Sequence, residues 1–426
     1  MNPRPIDHFV GSPVDRAAAA VSPPRLQRLI ASLASFGGDK SGGVNRQALT
    51  PDDIRARAYL IGYAQELGCS VLRDDAANLF FRRPGGKDGS PVVTGSHIDT
   101  QPTGGRLDGA YGVCAGLETI AALNDAGIST AHPIEVAVWT NEEGCRFAPG
   151  SMGSAAFVQA DRMQEFAASK DDKGRSFAEE LEVVDSTFFD VPKRAMSVPF
   201  RAFVEAHIEQ GPILELAGAK LGIVTGIQGV RWFRFTVVGR SSHAGTTPFE
   251  ARLDAVRCAA DLVIQAYAQS DGSDPQLRLT VGRFNVDPGA VNTVAAGVEF
   301  TIDLRHPNDE RLDSLETLFR SWSGSHQGCD VRVERIMSNP PTHFPREMVH
   351  VVRTAARTCD SHAIEMLSGA FHDSMYLARH CPTAMLFVPS IGGLSHHPAE
   401  DTNPEDLAIG ARALTRALLA LSEPIS

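Results

Sequence analysis

The chain has 426 residues, too many for one compact core, and its length predicts two or three domains. Hydrophobic residues make up 43% and charged residues 21%, a soluble globular balance, and the formal net charge of −11 argues against nucleic-acid or anionic-membrane partners. No apolar run approaches the roughly 18 residues of a membrane span, the short Ala17–Val21 run is no signal-peptide core, and seven scattered cysteines without a CxxC pair fit reduced thiols, so a cytoplasmic location is expected.

In the first zone, up to about Leu214, Pro91–Thr94 reads as a short buried strand and Val113–Ala126 as a helix. Between them lie Gly95-Ser96-His97-Ile98-Asp99 and Gly105-Arg106-Leu107-Asp108-Gly109, which set His97 and Asp108 eleven residues apart among glycines. Loops at a strand end are where an open α/β sheet puts its chemistry. Asp99 falls on the side of His97 if the strand continues, and from there it can orient the imidazole. The strand Ile134–Thr140 ends in Asn141-Glu142-Glu143-Gly144. Adjacent glutamates at a strand end point in different directions, so one can hold a metal while the other faces a bound water. Ser169–Arg175 reads as a charged surface loop or helix connection. Strand Phe203–Ile208 supplies His207, followed by Glu209-Gln210-Gly211-Pro212.

From Arg231 to Ile336 the pattern changes. It reads as strand Trp232–Val238, helix Glu250–Ala268, strands Leu277–Phe284 and Val298–Leu304, helix Asp309–Trp322 and strand Asp330–Ile336. That β-α-β-β-α-β order is ferredoxin-like. After Pro340-Pro341 the α/β pattern resumes with helix Arg346–Thr358, strand Thr383–Val388 and helix Pro404–Leu421. The loop Gly392-Gly393-Leu394-Ser395-His396-His397-Pro398 adds two histidines at another strand end. The simplest architecture is a discontinuous catalytic domain, residues 1–217 and 337–426, with residues 218–336 inserted.

His97, Asp108, Glu142, Glu143, His207 and His396 or His397 thus all lie at strand ends or glycine loops of the outer zones. Imidazole and carboxylate without thiolate suit Zn²⁺, Mn²⁺, Co²⁺ or Ni²⁺. Asp108 is the best candidate to bridge two ions, because each carboxylate oxygen can bind one. Two ions ~3.5–4 Å apart can acidify water and polarise a carbonyl. No glycine-rich phosphate cradle or Lys/Arg cluster supports a phosphoesterase.

The blocks GSHIDTQPTGGRLDGAYGV, WTNEEGCRFAPGSMGS, EAHIEQGP, GRSSHAGTTP, AVNTV, DLRH and FVPSIGGLSHHP span residues 95 to about 400. In them the chain resembles the amidase/carbamoylase branch of the dinuclear metallopeptidase superfamily, which includes N-carbamoyl-L-amino-acid hydrolases, β-ureidopropionases and allantoate amidohydrolases. The resemblance implies an α/β catalytic domain whose mixed sheet is flanked by helices, with an inserted ferredoxin-like α+β lid or dimerisation domain. It implies His97, Asp108, Glu143, His207 and His396 as ligands of two divalent metals, Zn²⁺ first, with Asp108 bridging. Glu142 would be the general base and then the acid toward the leaving amine. His396, directly after the serine, takes the ligand position of the family pattern; His397 takes the variable one.

The resemblance also assigns Gln210, His243, Asn292 and Arg305 to substrate binding. His243 would stabilise the oxyanion and Arg305 would pair with a substrate carboxylate. It further implies a homodimer through the inserted domain. Two departures stand out: Phe371 in Gly369-Ala370-Phe371-His372-Asp373, where relatives carry glycine, and Ala295 after Val294, where proline is usual. The expected activity is hydrolysis of the N-carbamoyl C–N bond of a small carboxylate, an N-carbamoyl-L-amino acid or N-carbamoyl-β-alanine, releasing amino acid, CO₂ and ammonia. Gln101-Pro102-Thr103 leans toward the β-ureidopropionase-like subgroup. The alternatives are an allantoate amidohydrolase, a peptidase or aminoacylase of the same fold, and a non-catalytic metal or amino-acid sensor, against which the intact Glu142 speaks.

Overall fold

The computed structural model describes residues 12–270 and 272–425 and divides the chain into two compact units. The first comprises the chain up to Thr225 and Phe344–Ser426, and the second is Gly226–His343. The inserted unit therefore starts eight residues and ends seven residues later than the sequence reading of 218–336. The reason is local: Gly222–Ile227 is a strand of the large sheet, hydrogen-bonded to Thr383–Val388, so the residues before 226 stay with the first unit.

The large sheet is mixed. Its order is Ser70–Arg73, Leu79–Arg83, Ile134–Trp139, Val92–His97, Ala202–Ile208, Thr383–Val388, Gly222–Ile227 and Thr342–His343, and Ile364–Ser368 also pairs with Gly222–Ile227. The four central strands, Ile134–Trp139, Val92–His97, Ala202–Ile208 and Thr383–Val388, run parallel. Every residue of these four is buried, as expected for strands covered on both faces. Trp139 is fully enclosed, with Phe80, Phe157 and Phe203 at ring distances of 5.7, 5.4 and 6.1 Å. Burying each such side chain stabilises the unit by roughly 1.5–3 kcal/mol. Helix Ala110–Asp125, buried over almost its whole length, packs on these strands.

Chain order along the sheet reverses at Val92–His97: the next strand, Ile134–Trp139, lies on one side and the one after, Ala202–Ile208, on the other. The carboxyl end of such a switch point opens a crevice. All four parallel strands point their carboxyl ends there, and each is followed by one of the loops singled out in the sequence. His97 itself is the last residue of its strand rather than a loop residue. Residues 152–187 add three helices, Met152–Val158, Met163–Ala167 and Phe177–Thr187, that the sequence reading did not resolve. The Ser169–Arg175 segment is the helix connection that the sequence reading allowed, between Met163–Ala167 and Phe177–Thr187, and its Asp171 pairs with Arg146 at 3.1 Å, which ties down the chain beyond Glu143.

In the second unit an antiparallel sheet runs Arg278–Asp287, Gly297–His306, Gly229–Val238, Cys329–Asn339 and Gly324–His326. Gly297–His306 alternates half-buried and buried along its length, the mark of a sheet with one covered face. Helices Ala255–Tyr267 and Asp309–Ser321 supply that cover, over a core built on Phe233, Phe235, Phe300, Phe319 and Trp322. The first four strands and two helices follow the ferredoxin-like β-α-β-β-α-β order.

Candidate metal centre

The carboxyl ends of the four parallel strands bring His97, Asp108, Glu142, Glu143, His207 and His396 into one cluster of the first unit. Asp108 stands at its middle. Its Oδ1 lies 3.2 Å from His207 Nε2 and 3.9 Å from His97 Nε2. Its Oδ2 lies 3.2 Å from His396 Nε2, which is 3.5 Å from Glu143 Oε2. Two donor triads result, His97–Asp108–His207 and Asp108–Glu143–His396, and Asp108 belongs to both. Glu142 Oε2 faces His97 Nε2 at 3.6 Å.

The donor set fits divalent metal. His97 Nδ1 donates to the Asp99 carbonyl and His207 Nδ1 to the Ile208 carbonyl, both at 2.9 Å. A carbonyl only accepts, so each Nδ1 carries a proton and each Nε2 is the ring atom left to face a metal. An Nε2 atom 3.2 Å from a carboxylate oxygen needs a positive charge between them, a proton in the metal-free protein or a metal ion in its place. Two donors on one tetrahedral ion at about 2.0–2.1 Å lie roughly 3.3 Å apart, close to the spacings seen here. A third triad, Glu205–His207–His372, does not fit. Both Glu205 oxygens are already taken, one by the Ser96 hydroxyl at 2.7 Å and the other by the Ser374 N–H and hydroxyl.

Electrostatics point the same way. Burial pushes Glu142 well above the usual carboxylate range, with Asp373 and Glu143 adding to it, and burial lifts Glu143 to about 8. Burial lowers His97 to about 4 and raises Asp99 to about 7. His396 rises to about 9 chiefly through its hydrogen bond to Asp108. Burial opposes the charge on His207, but Asp108 outweighs it and holds His207 at about 9. So many carboxylates around few positive charges make a pocket that lacks cationic charge.

Asp99 does not hold His97 by its carboxylate, as the sequence reading expected: that contact is 3.8 Å, and the backbone carbonyl takes the imidazole instead. The Asp99 carboxylate accepts the N–H groups of Glu142 and Glu143, each at 3.2 Å. Gln210, read as a substrate-binding residue, donates from Nε2 to Asp108 Oδ2 at 3.0 Å, while its Oε1 is buried without a partner. His397 stays out of the cluster and accepts the Ala399 N–H.

His243, Asn292 and Arg305 all lie in the second unit and are described there. His243 is exposed, and its Nδ1 accepts the N–H of Gly245 and Thr246 at 3.0 and 3.1 Å. The ring proton therefore sits on Nε2, which faces outward as a donor. The Asn292 carbonyl accepts the Ala244 N–H at 3.1 Å, beside His243. Arg305 forms a two-pronged pair with Asp303, at 2.9 and 2.8 Å, and Trp232 Nε1 donates to the same carboxylate.

Several residues that shape the site escaped the sequence reading. Arg46, Glu205 and Glu400 were not singled out, and Gln101 was read only as a hint to substrate class; the Glu143 it holds is 42 residues away. Gln101 grips both Glu143 oxygens, by its N–H at 3.1 Å and its Nε2 at 2.7 Å. No local pattern marks Glu400, which sits beside a second acid, Asp401, in a polar turn.

The chain matches the peptidase family M20/M25/M40 over residues 93–420. It is 37% identical to an N-carbamoyl-L-amino-acid amidohydrolase of Rhizobium meliloti, across 95% of this chain and 97% of that one. It is 35% identical to the corresponding protein of Geobacillus stearothermophilus, across 94% and 98%. A solved amidase of the hydantoinase/carbamoylase family from Burkholderia multivorans superposes with a TM-score of 0.88 at 40% identity, covering 95% of this chain and 99% of that one.

Proposed function

The chain belongs to the peptidase family M20/M25/M40 and is a metal-dependent hydrolase of amides, and from that premise we propose that it cleaves the N-carbamoyl C–N bond of small carboxylates. The substrate is an N-carbamoyl-L-amino acid or N-carbamoyl-β-alanine, and the products are the amino acid, CO₂ and ammonia. The observation that carries this reading is the sharing of Asp108 between two donor triads beside a half-buried Glu142, whose Oε2 stands 3.6 Å from His97 Nε2. That arrangement suits two ions and one proton carrier. The curated relatives named for N-carbamoyl-L-amino acids support the substrate class.

His97, His207, Glu143 and His396 would hold the two ions, Zn²⁺ first, with Asp108 between them. When bound, the ions supply Lewis acidity and make a water molecule acidic near neutrality. Glu142 does the proton work. Its carboxylate takes the proton of the attacking water at Oε2 and then delivers it to the amino-acid nitrogen as the C–N bond breaks. The carbamate left behind falls to CO₂ and ammonia. Gln210 fixes Asp108 and keeps a free acceptor, Oε1, for a substrate N–H. His243 Nε2 is a donor suited to a developing oxyanion. Arg305 with Asn292 completes the proposed substrate-binding set, the Arg305 fork exchanging the Asp303 carboxylate it holds here for that of the substrate. A homodimer through the inserted unit, supported by its exposed Trp232, Phe284 and Ile336, and a cytoplasmic location belong to the same proposal.

The decisive experiment is a panel of N-carbamoyl-L- and D-amino acids, N-carbamoyl-β-alanine, allantoate, dipeptides and N-acyl amino acids, run with Zn²⁺, Mn²⁺, Co²⁺ and Ni²⁺. Turnover confined to dipeptides or acyl amino acids would overturn the carbamoylase reading.

A further inference from the structure

We propose that Glu400 is a positioning residue that locks the two halves of the metal centre together and thereby sets its affinity for divalent metal. This rests on the reading of Asp108 and His396 as ligands. Glu400 is 2% exposed. Its Oε1 accepts the N–H groups of Leu107 and Asp108, each at 3.0 Å. Its Oε2 accepts the hydroxyl of Ser395 at 2.9 Å. One carboxylate thus fixes the backbone of the shared ligand and the residue that precedes His396, across nearly 300 positions of sequence.

The contacts around it form a directional chain. Gln210 Nε2 donates to Asp108 Oδ2 and to Ser395 Oγ, at 3.0 and 3.2 Å. Ser395 Oγ then has its proton for Glu400 Oε2, the shorter of its two carboxylate contacts; the other, to Asp108 Oδ2, is 3.3 Å. A second tie, Arg106 to Asp401 at 2.7 Å, joins the same two loops at their outer edge. Gly105 makes room for the arrangement, because a Cβ there would stand 2.2 Å from Glu400 Oε1. Filling a buried position with a carboxylate is costly unless every lone pair finds a donor. Here the donors are the very groups that aim two metal ligands, so the cost is offset by orientation. Partners of this kind behind metal ligands typically contribute ~10–100-fold in affinity.

The test is calorimetric titration of Mn²⁺ into the metal-free full-length chain, its Glu400→Gln and Glu400→Ala variants, and Asp108→Asn. Glu400→Gln keeps the volume and one acceptor for the two amides, and Ser395 can turn to accept from the new amide. It should keep affinity within a few-fold, while Glu400→Ala should lose ~10–100-fold. In steady state, Glu400→Ala should lower kcat at limiting Mn²⁺ with KM for substrate unchanged, and excess Mn²⁺ should restore kcat. Parental Mn²⁺ affinity in folded Glu400→Ala overturns the proposal. So does unfolding of both Glu400 variants even in excess Mn²⁺, which would make the role purely structural. If Asp108→Asn also binds two ions as the parent does, the ligand reading itself has failed. If Asp108→Asn loses metal and Glu400→Ala does not, only the role of Glu400 has failed.

Discussion

Asp99 Oδ1 accepts the backbone N–H of Glu142 at 3.2 Å, and through this bond the end of one parallel strand holds the end of its neighbour. The second oxygen does the same for Glu143 at 3.2 Å. One carboxylate therefore sets the backbone of both the proposed proton carrier and a proposed ligand. Asn at this position can accept only one of the two bonds and turns an N–H toward the other donor. Asp99→Asn is expected to lower kcat by ~10–100-fold while the fold survives. A steady-state assay with circular dichroism checks it, and an unchanged kcat would remove Asp99 from the site's support.

Glu142→Gln keeps the shape of the side chain but cannot take a proton. General acid–base groups contribute typically ~10²–10⁴-fold, and a loss of kcat in that range is expected. Metal content, measured by elemental analysis, should stay at the parent's level because Glu142 lies outside both donor triads. Loss of metal along with activity would show that Glu142 is a ligand instead.

Metal and protons compete for the same places. His207 and His396 sit at about 9 in the metal-free protein, above the ordinary histidine value of 6.5. Their charged pairing with Asp108 therefore stabilises the fold fully below about 6.5 and is lost as pH rises through about 9. Metal-free protein should show a Tm that falls over that window, and metal-loaded protein a smaller fall. Metal must also displace these protons, so binding tightens as pH rises toward 9. Calorimetry at pH 7 in two buffers of different ionisation enthalpy reads the release directly; no buffer dependence would refute it.

Gly109 follows Asp108 with φ +63°, and a Cβ there would stand 2.4 Å from the His97 ring. Gly109→Ala therefore adds backbone strain of ~1–2 kcal/mol and pushes the imidazole off its place. Both Tm and metal affinity are expected to drop. A variant with lowered Tm but parental metal binding would mean that His97 moves aside freely.

Arg46 is fully buried, and its guanidinium donates to the carbonyls of Ile98, Leu33 and Phe36 at 2.8, 2.7 and 2.8 Å. It anchors the residue next to His97 and leaves three carbonyls without donors when removed. Arg46→Met should destabilise the protein by about 3 kcal/mol or more, since each unsatisfied buried group costs ~1–3 kcal/mol. Urea unfolding measures this, and a change below about 1 kcal/mol would contradict it.

Much of this protein was legible in its sequence for a simple reason. The proposed ligands occupy strand ends and glycine turns, and both leave local marks: apolar runs that stop, then Gly next to His, Asp or Glu. His97, Asp108, Glu142, Glu143, His207 and His396 are all of this kind. The inserted unit was legible as well, because its alternating strands and amphipathic helices break the rhythm of the flanking zones. What escaped were the contacts that hold the candidate ligands from other segments. The Asp99 carboxylate turned out to grip two amides of another loop rather than the nearby imidazole, because 2.9 Å of backbone carbonyl had already claimed His97 Nδ1. The strand Gly222–Ile227 belongs to the large sheet through pairing with Thr383–Val388, a partner no local pattern announces.

The sequence by itself determined which side chains can bind metal and move protons, since those properties belong to residue type and to the turns that expose them. Only the tertiary structure decided how they are shared. Asp108 became common to two triads because four strand ends converge on it, from positions up to 288 residues away, and Glu400 came to stand behind it for the same reason. Spacing along the chain carries no information about such convergence; strand order and register do.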